Sequence, residues 1–136
     1  MPSLAGKSVL LVEDDEDARV MLRSLLEGGG ASVTCAASAA EAWEALGRGR
    51  YDVLVSDIGM AVEDGYALVR RLREREAERG GLLPAVALTA YARDEDRTRA
   101  LLSGFHAHVA KPVNPAELVA VVASLASLSS GRGEVS

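Results

Sequence analysis

The sequence predicts an α/β fold: a doubly wound parallel sheet of five strands in the order 2-1-3-4-5, covered by five helices. Three observations predict it. Short apolar runs alternate with longer helical patterns five times along the chain, which implies right-handed crossovers with helices on both faces. The first, third and fourth runs are continuously apolar, as strands buried on both sides are. The second and fifth carry polar residues at alternate positions, which puts them at the edges and the topological switch between strands one and three.

The elements follow in order. Val9-Leu10-Leu11-Val12 is the first strand, and a helix from about Asp17 to Glu27 follows, stopped by Gly28, Gly29 and Gly30. Ser32 to Ala36 alternates Val33 and Cys35 against Ser32 and Thr34 as a second strand. Ser38 with Glu41 three residues on makes a capping box for a helix carrying Ala42, Trp43 and Leu46 and ending near Gly47 and Gly49. Val53-Leu54-Val55 is the third strand, followed by a helix from about Gly65 to Arg79 that Gly80 and Gly81 end. Ala85 to Leu88, a charged helix from about Asp94 to Ser103, His106 to Ala110, and a last helix from about Pro115 to Leu128 complete the pattern. Residues 1–6 form a short lead, 7–128 one domain, and the small polar residues 129–136 an expected disordered tail.

Composition narrows the function. With 136 residues and 49% of them apolar, the chain fills one domain and builds its core without disulfides or structural metal. A net charge of −5, with no run of Lys and Arg to reverse it locally, opposes binding to a nucleic-acid backbone. Cys35 is the single cysteine, so no internal disulfide forms, and a reducing, cytoplasmic setting is expected. The amino terminus has no signal-peptide core, and no apolar stretch has the length of a membrane span.

Doubly wound sheets bind ligands beyond the carboxyl ends of their strands. There, Glu13-Asp14-Asp15-Glu16-Asp17 follows the first strand and Asp57 follows the third. Acids of a helix's first turn are favoured by its dipole, which accounts for Asp15, Glu16 and Asp17. Glu13 and Asp14 stand at the strand's end instead, and several carboxylates at one rim are costly unless a cation compensates them. Oxygen ligands without His or Cys suit Mg²⁺ completed by phosphate oxygens. Thr89 ends the fourth strand and Lys111-Pro112 the fifth, adding a hydroxyl and an ammonium to the same rim.

These residues identify a resemblance. Leu11-Val12-Glu13-Asp14-Asp15, Asp57-Ile58-Gly59-Met60 with Asp64-Gly65, Leu88-Thr89-Ala90 and Lys111-Pro112, in this order and spacing, resemble the receiver domains of response regulators and hybrid histidine kinases. The likeness runs from about Lys7 to Leu128 and, around Ala87 to Leu118, is greatest to receivers attached to hybrid kinases. It implies a flavodoxin-like fold and a phosphoacceptor Asp57. It further implies Mg²⁺ held by Glu13, Asp14, Asp57 and the Gly59 carbonyl, with Thr89 and Lys111 on the phosphoryl oxygens and a cis peptide between Lys111 and Pro112. The implied donor is a phosphohistidine on a histidine kinase or phosphotransfer protein, and the chain is a phosphoacceptor with some self-catalysed hydrolysis rather than a conventional enzyme.

Three positions depart from the family pattern. Ala61 stands where a Pro is frequent, Gly59 offers no side chain to steer a hydrolytic water, and His108 replaces the usual Tyr or Phe of the switch that works with Thr89. A haloacid-dehalogenase phosphohydrolase would carry a second Asp at Gly59, and a flavodoxin would have a Ser, Thr and Gly-rich loop where this chain has acids. The competing function is a receiver-fold interaction module without phosphoryl chemistry. Trp43 and Cys35 read as core residues. On the last helix Val119, Ala120, Ala123 and Ala126 widen the apolar stripe of Leu118, Val121, Val122 and Leu125, which predicts a partner or homodimer surface with the fifth strand. No output domain follows that helix, so the chain is expected to be a stand-alone regulator or the receiver portion of a hybrid kinase.

Overall fold

The computed structural model describes residues 3–60, 64–90 and 94–135, the last seven through their backbone alone. Five parallel strands run in the order β2-β1-β3-β4-β5. In chain order the elements are β1 (Ser8–Val12), α1 (Glu16–Gly28), β2 (Ser32–Ala36), α2 (Ala39–Arg48), β3 (Val53–Asp57), α3 (Gly65–Arg79), β4 (Ala85–Thr89), α4 (Asp94–Ser103), β5 (Ala107–Ala110) and α5 (Pro115–Val135). The flavodoxin-like order and both edge assignments are those the strand composition predicts. Ala61 lies outside the described residues.

Strand alternation divides the core into two layers. Leu10, Val12, Leu54, Ala85 and Ala87 face Ala42, Leu46, Leu68, Leu72 and Ala100, so α2, α3 and α4 cover one side. Val9, Leu11, Val53, Val55, Val86, Leu88 and Val109 face Leu22, Leu26, Leu118, Val122 and Ala126 of α1 and α5. The central strands β3 and β4 are buried throughout. Each fully buried Leu or Val contributes about 1.5–3 kcal/mol relative to exposure, so the sheet is a stiff base for whatever its rim carries.

Local chemistry sets the helix starts. The Asp15 carboxylate accepts from the Ala18 N–H at 2.8 Å and caps α1, while Asp64 does the same for α3 through Ala67 N–H at 2.9 Å. Ser38 Oγ accepts from Glu41 N–H at 3.1 Å, as the capping box requires. The Glu41 carboxylate, however, reaches the Ala37 N–H at 3.0 Å, one residue before the cap.

Two expectations are corrected. Cys35 is half-buried rather than buried, because β2 is an edge strand that helices only partly roof. On α5 the fully buried stripe is Leu118, Val122 and Ala126, with Val121 and Leu125 only partly covered; four positions, slightly more than one helical turn, set the stripe that meets the sheet.

Candidate functional site

The carboxyl ends of β1, β3, β4 and β5 bring the predicted site residues to one rim. Past β1, the Glu13 N–H donates to Ala36 O at 3.0 Å, prolonging the β1–β2 ladder by one residue. That fixes Glu13 with its side chain inward, 1% exposed, while the next residue, Asp14, stays exposed. Asp57 is the last residue of β3 and is 7% exposed. Thr89 ends β4 and is 3% exposed, and its carbonyl accepts from the Lys111 N–H at 2.8 Å. The following peptide, Lys111–Pro112, is cis.

Carboxylate oxygens of Glu13, Asp14 and Asp57 all lie within 4.8 Å of one another. Lys111 Nζ stands against them, 3.2 Å from Glu13 Oε1 and 3.1 Å from Asp57 Oδ1. Asp57 Oδ1 also accepts from the Gly59 N–H at 3.2 Å, and Glu13 Oε2 from the Asp15 N–H at 3.3 Å. Burial raises the Glu13 carboxyl above the usual carboxylate range, and the neighbouring Asp57 charge raises it further, against the Asp15 N–H and Lys111. For Lys111, burial pulls the ammonium down, but the Asp57 and Glu13 carboxylates outweigh it and hold the pKa above 10.5.

Such a donor set fits a hard divalent cation. Three carboxylates within bridging distance and one lysine leave an excess of negative charge, and one of the three, Asp14, is open to solvent where an ion can enter. Asp15, Glu16 and Asp17 do not join them: Asp15 is the α1 cap and the others occupy its first turn. An ideal Cβ on Gly59 would approach only Asp57 Oδ1, at 3.9 Å, so space rather than steric demand surrounds that glycine.

Around this site the fold adds one residue that the sequence does not single out, Arg19, and contacts of Gly65 and His108 that it does not show. Arg19 Nη1 donates to Glu13 O at 3.0 Å and braces the β1–α1 turn. Gly65 N–H donates to Ile58 O at 3.2 Å, closing the loop after Asp57 onto α3. His108 sits opposite Ala87 on β5, hence on the same sheet face as Thr89, and its Nε2 accepts from Arg97 Nε of α4 at 3.3 Å. Arg19 recurs on α1 as one charge among many, so only the turn geometry distinguishes it; the Asp64-Gly65 pair before a helix is the visible sign of the second.

Fold and rim together define a doubly wound α/β protein with an acidic cluster that could hold a cation, beside a lysine, placed at the topological switch point. The model of the response regulator receiver domain matches residues 9–123. The chain is 49% identical over 122 residues to an uncharacterized protein in the sodA1 3′ region of Leptolyngbya boryana, covering 90% of this chain and 92% of that one. It is 39% identical to response regulator Rre1 of Synechocystis, covering 87% of this chain and 51% of Rre1. With hybrid signal transduction histidine kinase D of Dictyostelium discoideum identity is 36%, over 85% of this chain and 8% of the kinase. Beyond the Leptolyngbya protein, then, it spans about half or less of these relatives.

Among solved structures, the receiver domain of sensor histidine kinase PA1611 from Pseudomonas aeruginosa, with magnesium coordinated in its active-site cleft, superposes with TM-score 0.80 at 34% identity, covering 90% and 99% of the two chains. The receiver domain of Ssk1 from Saccharomyces cerevisiae, crystallised with the histidine phosphotransfer protein Ypd1, gives 0.85 at 27% identity, covering 93% and 91%. The chain belongs to the response regulator receiver domain family, the phosphoacceptor modules of two-component signalling. Among the described residues no helix is long and apolar enough to cross a membrane.

Proposed function

We propose that this chain takes a phosphoryl group onto Asp57 from a phosphohistidine and thereby changes the surface it offers to a partner. The observation that carries this reading is the meeting of Glu13, Asp14 and Asp57 within 4.8 Å, with Lys111 bridging the first and last. Glu13, Asp14, Asp57 and the Gly59 carbonyl would hold Mg²⁺, which would supply neutralisation of the negative charge on the phosphoryl oxygens. Everything else falls to side chains of the chain itself.

An Asp57 carboxylate oxygen attacks phosphorus in line with the donor's P–N bond. The new P–O bond forms as the P–N bond breaks, and the electron pair leaves with the imidazole nitrogen. Lys111 turns from Glu13 and Asp57 to a phosphoryl oxygen, and Thr89 donates its hydroxyl to another. Ala90, beside Thr89, keeps the approach open. Thr89 and His108 share the sheet face roofed by α4, so inward movement of Thr89 acts on the His108–Arg97 contact and through it on α4. His108 thus takes the place of the aromatic switch.

The donor is a histidine kinase or a histidine phosphotransfer protein, and the domain serves as a stand-alone regulator or as part of a hybrid kinase in the cytoplasm. Its partly covered α5 side chains Val119, Val121 and Leu125, beside β5, form the surface for a partner or second copy. The protein, incubated with acetyl phosphate and Mg²⁺, gains the mass of one phosphoryl group, and Asp57→Ala does not. If wild type gains nothing from acetyl phosphate or from a phosphorylated kinase, the chain is a phosphorylation-independent interaction module.

A further inference from the structure

A net charge of −5 leads one to expect no basic surface, yet the fold gathers one at the end of the sheet opposite Asp57. Arg71, Arg75 and Arg79 follow each other at four-residue spacing on α3 and so form one stripe about 12 Å long. Like charges at that spacing oppose the helix. The guanidiniums of Arg71 and Arg75 lie 4.5 and 4.8 Å from the ring centre of Trp43 on α2, whose π-face holds both cations. Arg75 and Arg79 then border a cleft of about 380 Å³ between the carboxyl-terminal ends of α2 and α3, and Arg50 lines it as well.

This cleft has an apolar lining, from Leu46 and Leu72, and an aromatic one, from Tyr51. The Tyr51 hydroxyl donates to Ala45 O at 3.4 Å, which pins the ring. A turn of Gly80 and Gly81, both at positive φ (81° and 85°), closes one side and lets the backbone pass without side chains. The acid in the cleft is Glu76, and both its oxygens are taken: Oε1 by Arg73 Nη1 at 2.7 Å and Oε2 by Leu83 N–H at 2.8 Å. Among the described residues, no carboxylate pairs with Arg50, Arg75 or Arg79.

We infer that this cleft binds an organic anion carrying two or more phosphates, of nucleotide size. Guanidiniums present parallel N–H donors that match phosphate oxygens. The volume is that of a small-molecule site rather than of a docking groove for a folded partner, and an apolar, aromatic-lined floor beneath a cationic border suits a base and its phosphates. It is a second site, independent of phosphoryl chemistry at Asp57.

The test titrates the full chain with ATP, inorganic tripolyphosphate and poly-glutamate in EDTA, by calorimetry and by the emission of Trp43, the single tryptophan. ATP binds saturably and perturbs Trp43, and Arg75→Gln with Arg79→Gln weakens it at least about tenfold, the loss expected for removed charge-assisted contacts. Asp57→Asn leaves this binding unchanged, which separates it from the phosphoacceptor rim. Preference for ATP over tripolyphosphate assigns the floor to a base; equal binding assigns the site to phosphates alone. The inference is overturned if neither phosphate compound saturates, if binding survives the double substitution with its fold intact by circular dichroism, or if poly-glutamate binds as well as ATP, which marks a protein-docking surface.

Discussion

Lys111 Nζ stands 3.1 Å from Asp57 Oδ1 while also reaching Glu13 Oε1 at 3.2 Å, so one ammonium spans two carboxylates that would otherwise repel each other. It supplies positive charge at the rim where the proposed cation and phosphoryl group would sit. Lys111→Met therefore leaves Glu13 and Asp57 uncompensated. Because the lysine is 32% exposed, its contribution is discounted to about 1 kcal/mol. Urea unfolding in EDTA should show that loss, Mg²⁺ titration should show tighter binding, and phosphorylation by acetyl phosphate should slow. Unchanged phosphorylation would remove Lys111 from the proposed mechanism.

Asp57→Asn acts on the same balance from the other side. Under the proposed function it should abolish phosphorylation; it also removes one of three clustered negative charges, while the amide oxygen still accepts from Gly59 N–H and Lys111. Without Mg²⁺ the variant should be more stable than wild type by about 1 kcal/mol, the scale of one like-charge pair at a solvent-reached rim. The added stability from Mg²⁺ should shrink in parallel, since ligand stabilisation follows affinity. A variant less stable than wild type in EDTA would show that Asp57 is held favourably rather than under repulsion.

What the sequence makes legible follows from which forces are local. Strand order can be read because burial on two faces demands continuous apolar runs such as Val53-Leu54-Val55, and edge position tolerates Ser32 and Thr34. Glu13, Asp57, Thr89 and Lys111 can be read because each stands at or just past the end of a strand, and a parallel sheet brings strand ends together. The Arg97–His108 contact and the guanidiniums over Trp43 join residues on different elements without any fixed spacing, so only the packed structure reveals them.

Gly65 matters through space, not through an unusual φ. A Cβ there would lie 2.6 Å from the Asp57 carbonyl oxygen and 2.9 Å from Ile58 Cα, both backbone atoms that cannot rotate away. Gly65→Ala gains some helix propensity at the start of α3, but the overlap outweighs it. A loss of about 1–3 kcal/mol is expected, read as a lower urea midpoint. Phosphorylation should slow as well, because the displaced peptide is the one that carries Asp57. A variant as stable as wild type would mean that α3 shifts freely away from β3.

His108 and Thr89 lie on one sheet face, and Arg97 of α4 bonds the imidazole. If that contact transmits the phosphorylated state, His108→Tyr should alter the change in partner affinity that phosphorylation produces, measured by calorimetry with a cognate phosphotransfer protein. Equal changes for both proteins would end the proposed role of His108.

Cys35 gives a pH dependence whose sign can be worked out. Burial raises its thiol above the ordinary 9.0, against the pull of Arg23 and Arg19. Between 9.0 and the raised value the folded chain holds a proton that the unfolded chain releases, so stability falls as pH rises through that window and is untouched by this group below it. The thiolate is the reactive form. Native protein should therefore alkylate with iodoacetamide several-fold more slowly at pH 9 than urea-unfolded protein, and the gap should narrow as pH increases further. Equal rates at pH 9, with the fold intact by circular dichroism, would show that β2 leaves the thiol as solvated as in an open chain.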